Sequence, residues 1–521
     1  MNKAVSTANE ILNWLQSQRD AGASEPQCVP QLSADSRRIS AGDIFFAYPG
    51  DEADGRRYIA DAIERGAAAI VYEAADFVWD AALDLPMPLP RLAVQNLKQL
   101  AGPVGSAYYG HPDSSLFTVA VTGTNGKTSC AWWLGAALSK IEGAPSAVIG
   151  TFGAGLFREG ASQGFAATGY TTPDALLLQQ QLDVLARAGA TSLAIEASSI
   201  GLHQGRMSGL HVDVALFTNF TRDHLDYHGD MDAYESAKSA LFDWPGLRQA
   251  VINSDDPMGQ RLIARLAARG LPLIAYSIGP AAGIPETAGV QQLRASAIRS
   301  GPAGTSFHVE SPFGNALVKT QLVGLFNVSN VLGVLGVLLA RGVAWDAALV
   351  ALAALTPVPG RMQQAGGQEA PLVVIDYAHT PDALEKALAA LRQIAAQRGG
   401  QLWCMFGCGG GRDSGKRAAM GQAAMMADRI VLTNDNPRYE DPAEIITQIQ
   451  SGISGLVPHV MADRAAAILW TIRHAGKHDV VLLAGKGHEN YQEFNGKKLP
   501  FLDADHAALA LAARVTMGGA I

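Results

Sequence analysis

The stretch Thr122-Gly-Thr-Asn-Gly-Lys-Thr128 carries the residue types that hold a triphosphate. Glycines at 123 and 126 let backbone N–H groups face phosphate oxygens, and a helix opening at Lys127 would add its positive dipole end. Lys127 is placed to reach the β- and γ-phosphates, and the Thr128 hydroxyl suits Mg²⁺. Gly123, Thr124, Asn125, Gly126, Lys127 and Thr128 therefore form a candidate ATP loop. The standard spacing G-x-x-x-x-G-K-[ST] asks for glycine at position 121, where Val121 stands, so the loop is a variant anchored on Gly123. Two other acid and imidazole groups close apolar runs: Glu196 after residues 192–195, and His224 a few residues beyond 212–217. Oxygen and imidazole ligands at strand ends beside a phosphate loop favour a metal site. His224 and His228 share the i, i+4 spacing of a zinc helix, but Leu225 occupies the place of the required Glu, which argues against zinc. Lys238 lies in a helical pattern at 231–242, where a lysine is ordinarily a solvated surface residue.

The elements that must position these groups alternate between strand and helix. Residues 117–121 read as a buried strand leading into the glycine loop, and 131–140 as the helix after it. Strands at 147–151, 192–195 and 212–217 follow, with a helix at 175–188, and βαβ order predicts parallel pairing with function at the C-terminal strand ends. Before them, 43–48 and 68–72 read as strands and 59–65 as a helix. The polar segment Ser33–Arg38 reads as a loop that caps a helix. From 273 to 323, runs at 306–310 and 316–322 suggest added antiparallel strands. After the linker Thr356-Pro-Val-Pro-Gly360, strands at 372–375, 402–406, 430–433 and 480–483 each end in a polar loop, the pattern of a doubly wound sheet. Within it, 407–412 fails G-x-G-x-x-G at Arg412, and 410–417 fails the phosphate-loop pattern at Arg417.

With 521 residues the chain exceeds one ordinary core, and three domains are expected: 1–112, 113–355 and 356–521. A net charge of −8, from 40 Lys+Arg against 48 Asp+Glu, argues against nucleic acid as partner. Cys28, Cys130, Cys404 and Cys408 form no C-x-x-C pair, which suits a reducing compartment. The first 18 residues lack the apolar core of a signal peptide, and the longest apolar run, 331–340, is too short to span a bilayer. A cytoplasmic α/β enzyme is the expectation.

Taken together, Thr122–Thr128, Glu196-Ala-Ser-Ser199 with Gln204 and Arg206, and Asp223-His-Leu-Asp-Tyr-His-Gly229 resemble the Mur ligase family. Ala237-Lys238, Phe326-Asn327 with Asn330, Gly360-Arg361, Asp376-Tyr-Ala-His379, Gly407–Asp413, Asp435-Asn-Pro-Arg438 and Gly485-Lys-Gly-His-Glu489 extend the resemblance in order along nearly the whole chain. Ile200, where the family usually has His, and Ala197, often Val, depart from it without removing a reacting group. The resemblance implies an N-terminal uridine-nucleotide domain, a central ATPase-like domain and a C-terminal Rossmann-like domain. It implies an ATP- and Mg²⁺-dependent amide ligase that couples meso-diaminopimelate to UDP-N-acetylmuramoyl-L-alanyl-D-glutamate through an acyl phosphate, in peptidoglycan precursor synthesis, working as a monomer without membrane insertion.

Residue by residue, the resemblance assigns Lys127, Glu196, His224 and Lys238 to catalysis. Thr128, Glu196, His224 and a carbamylated Lys238 become the metal set. Asn327, Arg361 and Asp376 join the loop as ATP contacts. Ser36, Asp51, Glu52, Ala53, Thr171, Thr172, Ser198, Gln204 and Arg206 would hold the uridine nucleotide and its peptide. Arg412, Asp435, Asn436, Pro437, Arg438, Gly485 and Glu489 would hold the incoming amino acid, Arg438 as the cation for its distal carboxylate. An unpaired buried Arg438 facing the shorter L-lysine would then discriminate by ~10³ or more. The alternatives are a lysine-adding ligase, a folylpolyglutamate synthetase-like ligase, and a nucleotide-dependent regulator, against which the intact Lys127, Glu196, His224 and Lys238 argue.

Overall fold

The computed structural model describes residues 4–21, 29–51, 53–84, 88–279, 289–301, 303–411 and 413–518. Cys28, Glu52 and Arg412 lie outside the described residues. The chain divides into two compact units. One holds the chain up to Thr122 together with Leu134–Leu216 and Ser236–Ala250, and the other holds Gly123–Trp133, Phe217–Glu235 and the chain from Val251 onward.

The first unit begins with four strands, Leu32–Ser33, Ile44–Ala47, Ala69–Glu73 and Arg91–Val94, paired in chain order and all parallel. Successive side chains alternate faces, so Ile44 and Phe46 enter one core while Phe45 and Ala47 enter the other. Helices Ala8–Ala21 and Leu97–Tyr108 seal the first core through Ile11, Leu15 and Val104, and helix Ile59–Glu64 seals the second. This is why the strand Ile44–Ala47 reads as an unbroken apolar run. The unit continues with strand Phe117–Thr122, parallel to Ser192–Glu196, which is parallel to Ser146–Gly150. Gly153–Arg158 and Ala161–Ala166 extend that edge antiparallel.

In the second unit, Leu273–Ser277 pairs parallel with Val290–Gly301, which leads into the antiparallel strands Gly304–Ser311 and Gly314–Thr320. Val290–Gly301 escaped the sequence pattern because its residues alternate polar and small, with only Leu293 and Ala295 in the core. Helix Leu325–Ala340 is apolar around its circumference, and a Cβ on Gly336 would lie 2.6 Å from Val251, so the glycine permits close packing on the strands.

The C-terminal part of this unit is the expected doubly wound sheet. Its strands run Gln363–Gly366, Leu372–Asp376, Val480–Ala484, Leu402–Phe406, Arg429–Leu432 and His459–Val460 in space, all parallel except the first. Helices Pro381–Arg398, Arg417–Ala424 and Pro442–Gln450 cover one face, and Arg464–His474 and Asp503–Gly518 the other. Thr380 and Asp441 cap helices whose first residue is proline, a start signal that needs no first-turn N–H. A short hairpin, Tyr491–Phe494 with Lys497–Pro500, had no advance signal. No described helix is long and apolar enough to cross a membrane.

Candidate active site

In the second unit, the loop after Thr122 enters helix Lys127–Glu142 at Lys127, as the strand–glycine loop–helix order requires. Both glycines are needed for their conformation. Gly123 has φ 145° and Gly126 φ 88°, and a Cβ at Gly123 would lie 1.9 Å from Thr218 Oγ1. Thr218, Asn219 and Thr221 hold the loop from the next segment. Thr218 Oγ1 donates to Asn125 O at 2.6 Å, Asn125 N donates to Asn219 Oδ1 at 2.9 Å, and Thr124 Oγ1 donates to Thr221 O at 3.0 Å. Lys127 Nζ donates to Gly123 O and Thr124 O, both at 2.8 Å, so its charge folds over its own loop. That donor set of backbone amides, an ammonium and a threonine hydroxyl fits a triphosphate with its cation.

Arg361 joins this cluster, donating Nη2 to Thr128 Oγ1 at 3.3 Å, with its guanidinium 4.1 Å from the Tyr377 ring centroid. Asp376 ends the strand Leu372–Asp376 just before Tyr377, and its two oxygens accept from Met362 N and Ala378 N at 2.8 Å each. Burial raises the Asp376 carboxyl, and Arg361 and these two N–H groups oppose that. Asn327 donates Nδ2 to Val323 O at 2.8 Å, tying its helix entry down. His224 sits at φ 53° immediately before the turn Leu225–His228, with its ring edge-on to Tyr234 at 6.2 Å between centroids. Its neighbour Asp223 would be raised by burial, but the charges of His224, His379 and Lys416 outweigh this and hold it at about 2.

The first unit gathers a second group. Glu196 is buried and accepts from Thr151 twice, N to Oε1 at 2.7 Å and Oγ1 to Oε2 at 3.1 Å. Thr172 Oγ1 donates to Glu196 O at 2.7 Å and lies 2.9 Å from Ser198 Oγ, which caps the helix Ser199–His203. Arg206 donates Nη1 to Thr172 O at 3.0 Å and Nε to Gln204 Oε1 at 2.8 Å. With Thr171 Oγ1 3.5 Å from Thr151 Oγ1, residues Thr171, Thr172, Ser198, Gln204 and Arg206, scattered over 36 positions, form one connected cluster with Glu196. Tyr170, which carried no sequence signal, places its half-exposed ring under Arg206 at 4.5 Å and interacts with Arg37. Ser36 is buried next to Arg37, within the turn Ser36–Arg38 that Asp35 caps. Asp51 is paired with Lys98 at 2.7 Å, and Ala53 O accepts from Gly50 N in the same turn. Guanidiniums around a tyrosine and a threonine pair suit an anionic nucleotide.

Lys238 is only 1% exposed, against the reading of a solvated helix lysine. A buried ammonium is costly unless it is paired or chemically altered. Among the described residues, no three His, Cys, Asp or Glu side chains cluster as a metal site.

The C-terminal sheet brings the 435–438 and 485–489 segments together at the ends of the two strands that flank Leu402–Phe406. Asn436 Nδ2 donates to Glu489 Oε2 at 2.8 Å, and Lys486 Nζ donates to the same oxygen at 2.9 Å. Gly485 has φ 108°, and a Cβ there would lie 2.7 Å from Asp435 Oδ2. Pro437 carries the chain into Arg438, which sits at φ 54°. Arg438 differs from the unpaired cation the sequence suggested. Its Nη1 donates to Gly410 O, and its Nε lies 3.5 Å from Glu493 Oε2, with the two side chains 23% and 18% exposed. Glu493 reaches it through the hairpin, where Arg438 N donates to Glu493 O at 3.0 Å. A partly compensated guanidinium discriminates less than an orphaned one, so ~10² fits this arrangement better than 10³.

Comparison with known proteins adds the family. Residues 29–107 match the model described as Mur ligase family, catalytic domain. Residues 121–338 match the Mur ligase middle domain, and 360–487 the Mur ligase, glutamate ligase domain. The chain is 61% identical over 512 residues to a UDP-N-acetylmuramoyl-L-alanyl-D-glutamate--2,6-diaminopimelate ligase of Janthinobacterium sp. (strain Marseille), covering 98% of this chain and 97% of that one. It is 50% identical to the protein of the same name from Ralstonia nicotianae, over 97% and 96% of the two chains. A solved structure of a ligase with that name superposes with a TM-score of 0.63 at 35% identity, covering 96% of this chain and 99% of that one. A folylpolyglutamate synthase of Mycobacterium tuberculosis shares the fold, with a TM-score of 0.58 at 17% identity over 74% of this chain and 92% of that one.

Proposed function

The chain belongs to the Mur ligase family, and from that premise we propose that it is the ATP-dependent ligase that adds meso-diaminopimelate to UDP-N-acetylmuramoyl-L-alanyl-D-glutamate. The observation that carries the reading within this chain is a strand-end loop in which Asn436 is bonded to Glu489 and, two positions on, the Arg438 guanidinium lies 3.5 Å from Glu493. A zwitterionic amino acid with a second carboxylate needs an acceptor for its ammonium and a fixed cation for its far end, and this constellation offers both.

Bound ATP with Mg²⁺ supplies the phosphoryl group that turns the D-glutamate carboxylate into an acyl phosphate. The chain's own residues do the rest. Lys127 and the amides of Gly123–Thr128 offset charge on the phosphates, lowering the repulsion between two anions that must meet in line. Arg361 and Asn327 serve the nucleotide, and Asp376, with lone pairs to spare beyond its two N–H bonds, receives a ribose hydroxyl. The family resemblance assigns Thr128, Glu196, His224 and Lys238 as its carbamate to the cation, and the hydroxyl, carboxylate, imidazole and carbamate donors are of the types that suit Mg²⁺. Ser36, Asp51, Glu52, Ala53, Thr171, Thr172, Ser198, Gln204 and Arg206 hold the nucleotide peptide. Arg412, with Asp435, Asn436, Pro437, Arg438, Gly485 and Glu489, holds the amine. The module boundaries at 112 and 355, a single working chain and a cytoplasmic setting belong to the same reading.

Phosphate release tests it. Release that requires ATP, the muramoyl dipeptide nucleotide and meso-diaminopimelate together is the expected result. Release with ATP alone, or an unchanged rate with L-lysine in place of meso-diaminopimelate, overturns it.

A further inference from the structure

Lys486 has no role in the assignments above, yet it is the most deeply placed charge in the amino-acid pocket, with no exposed surface. Gly485 and Gly487, at φ 108° and 51°, flank it and turn its side chain inward. A Cβ on Gly487 would lie 2.6 Å from Gly360 O, so the loop tolerates no bulkier neighbour there. A buried lysine has to be matched by hydrogen bonds and counter-charge. Lys486 Nζ makes two such bonds, to Asn436 Oδ1 at 3.2 Å and to Glu489 Oε2 at 2.9 Å, and lies 5.5 Å from the Tyr491 ring centroid.

These bonds determine how the two pocket residues face. Asn436 Oδ1 accepts from Lys486 and from Glu493 N at 3.0 Å, so its amide cannot flip without setting its Nδ2 against two donors. Nδ2 is thereby committed to Glu489 Oε2. Among the described residues both hydrogen bonds to the Glu489 side chain end on Oε2, which leaves Oε1 to accept from a ligand. Charge points the same way. Asp435, Glu489 and Asp503 face Lys486 and Arg464, so carboxylates surround the buried ammonium on this side of the pocket. Burial raises the Asp435 carboxyl, and Lys486 is the leading opposing influence.

We infer that Lys486 is a positioning residue for the ligase reaction: it locks Asn436 and Glu489 into the orientation that receives the incoming amino acid. This deepens the proposed function and rests on it for the identity of that amino acid.

The test is a double-mutant cycle on the full chain, run with whichever amine the unmutated protein ligates fastest. A preference for another amine overturns the assigned substrate but leaves the cycle intact. Lys486→Met should raise KM for the amine by roughly 30-fold while leaving KM for ATP and for the nucleotide peptide within about threefold. Lys486→Arg should recover part of that loss. Lys486→Met strands a carboxylate, so the decisive leg combines it with Glu489→Gln, which removes both charges of the pair together. Relative to Glu489→Gln alone, the combined variant should change KM for the amine by less than about threefold. A further loss of roughly 30-fold on that leg, or equal KM increases for all three substrates in Lys486→Met, overturns the proposal.

Discussion

The Arg438 guanidinium and the Glu493 carboxylate lie 3.5 Å apart, Nε to Oε2, and their backbones are joined by the Arg438 N–H bond to Glu493 O. The cation proposed to read the substrate's distal carboxylate is therefore already partly answered by the protein's own carboxylate. An incoming carboxylate has to share or replace that partner, and a substrate without one leaves the pair as it stands.

This relationship makes selectivity tunable from either side. Arg438→Ala should bring the ratio of kcat/KM for meso-diaminopimelate over L-lysine down by ~10²-fold, mostly through the former. Glu493→Gln should lower KM for meso-diaminopimelate several-fold by freeing the guanidinium. Steady-state rates with the two amines check both, and unchanged selectivity in Arg438→Ala would sink the assignment.

The phosphate loop tolerates no side chain at Gly123. Its φ of 145° is strained for any L-residue, and the added Cβ would overlap Thr218 Oγ1. Gly123→Ala should cost about 1–3 kcal/mol of stability and weaken ATP binding at least tenfold, with amine binding little changed. Calorimetric titration with a non-hydrolysable ATP analogue measures this directly.

Conversion of Lys238 to a carbamate would replace a cation with an oxygen ligand suited to Mg²⁺. Lys238→Ala should lose activity by ~10²-fold or more and regain part of it with added short carboxylates. Lys238→Arg should stay inactive, and ¹³C-bicarbonate should label the unmutated protein in a carbonyl NMR signal. An active arginine variant or an unlabelled protein counts against the modification.

Acid sensitivity should trace in part to His488. Burial, aided by Arg361 and Lys486, lowers its imidazole to about 3, against an ordinary value of 6.5. The folded state takes up the proton less readily than the unfolded chain, so this stabilising contribution is complete above pH 6.5. It is lost as pH falls from 6.5 toward 3, at up to ~1.4 kcal/mol per pH unit. Urea midpoints between pH 7 and pH 4.5 should fall less steeply in His488→Gln. Parallel slopes would show that other groups govern the acid limb.

Much of the site was legible without coordinates, for identifiable reasons. Gly123 and Gly126 announce φ values of 145° and 88° and a close backbone approach, which glycine accepts without strain. Parallel strands buried on both faces, such as Ile44–Ala47 and Leu402–Phe406, write themselves as apolar runs whose ends mark where ligands collect. The loop, the doubly wound sheet and the family motifs were therefore set by local composition. Long-range pairing was not. Which face of helix Met231–Ser239 would be covered cannot be read from a lone Lys238, because burial is decided by what packs against the helix. Glu493 meets Arg438 only because an unremarked hairpin adds to that segment, and Lys486 reaches Asn436 from 50 positions away only because parallel pairing sets their strand ends near each other. Residue identity determined what chemistry was available, and tertiary contact decided which charges were already spent on one another.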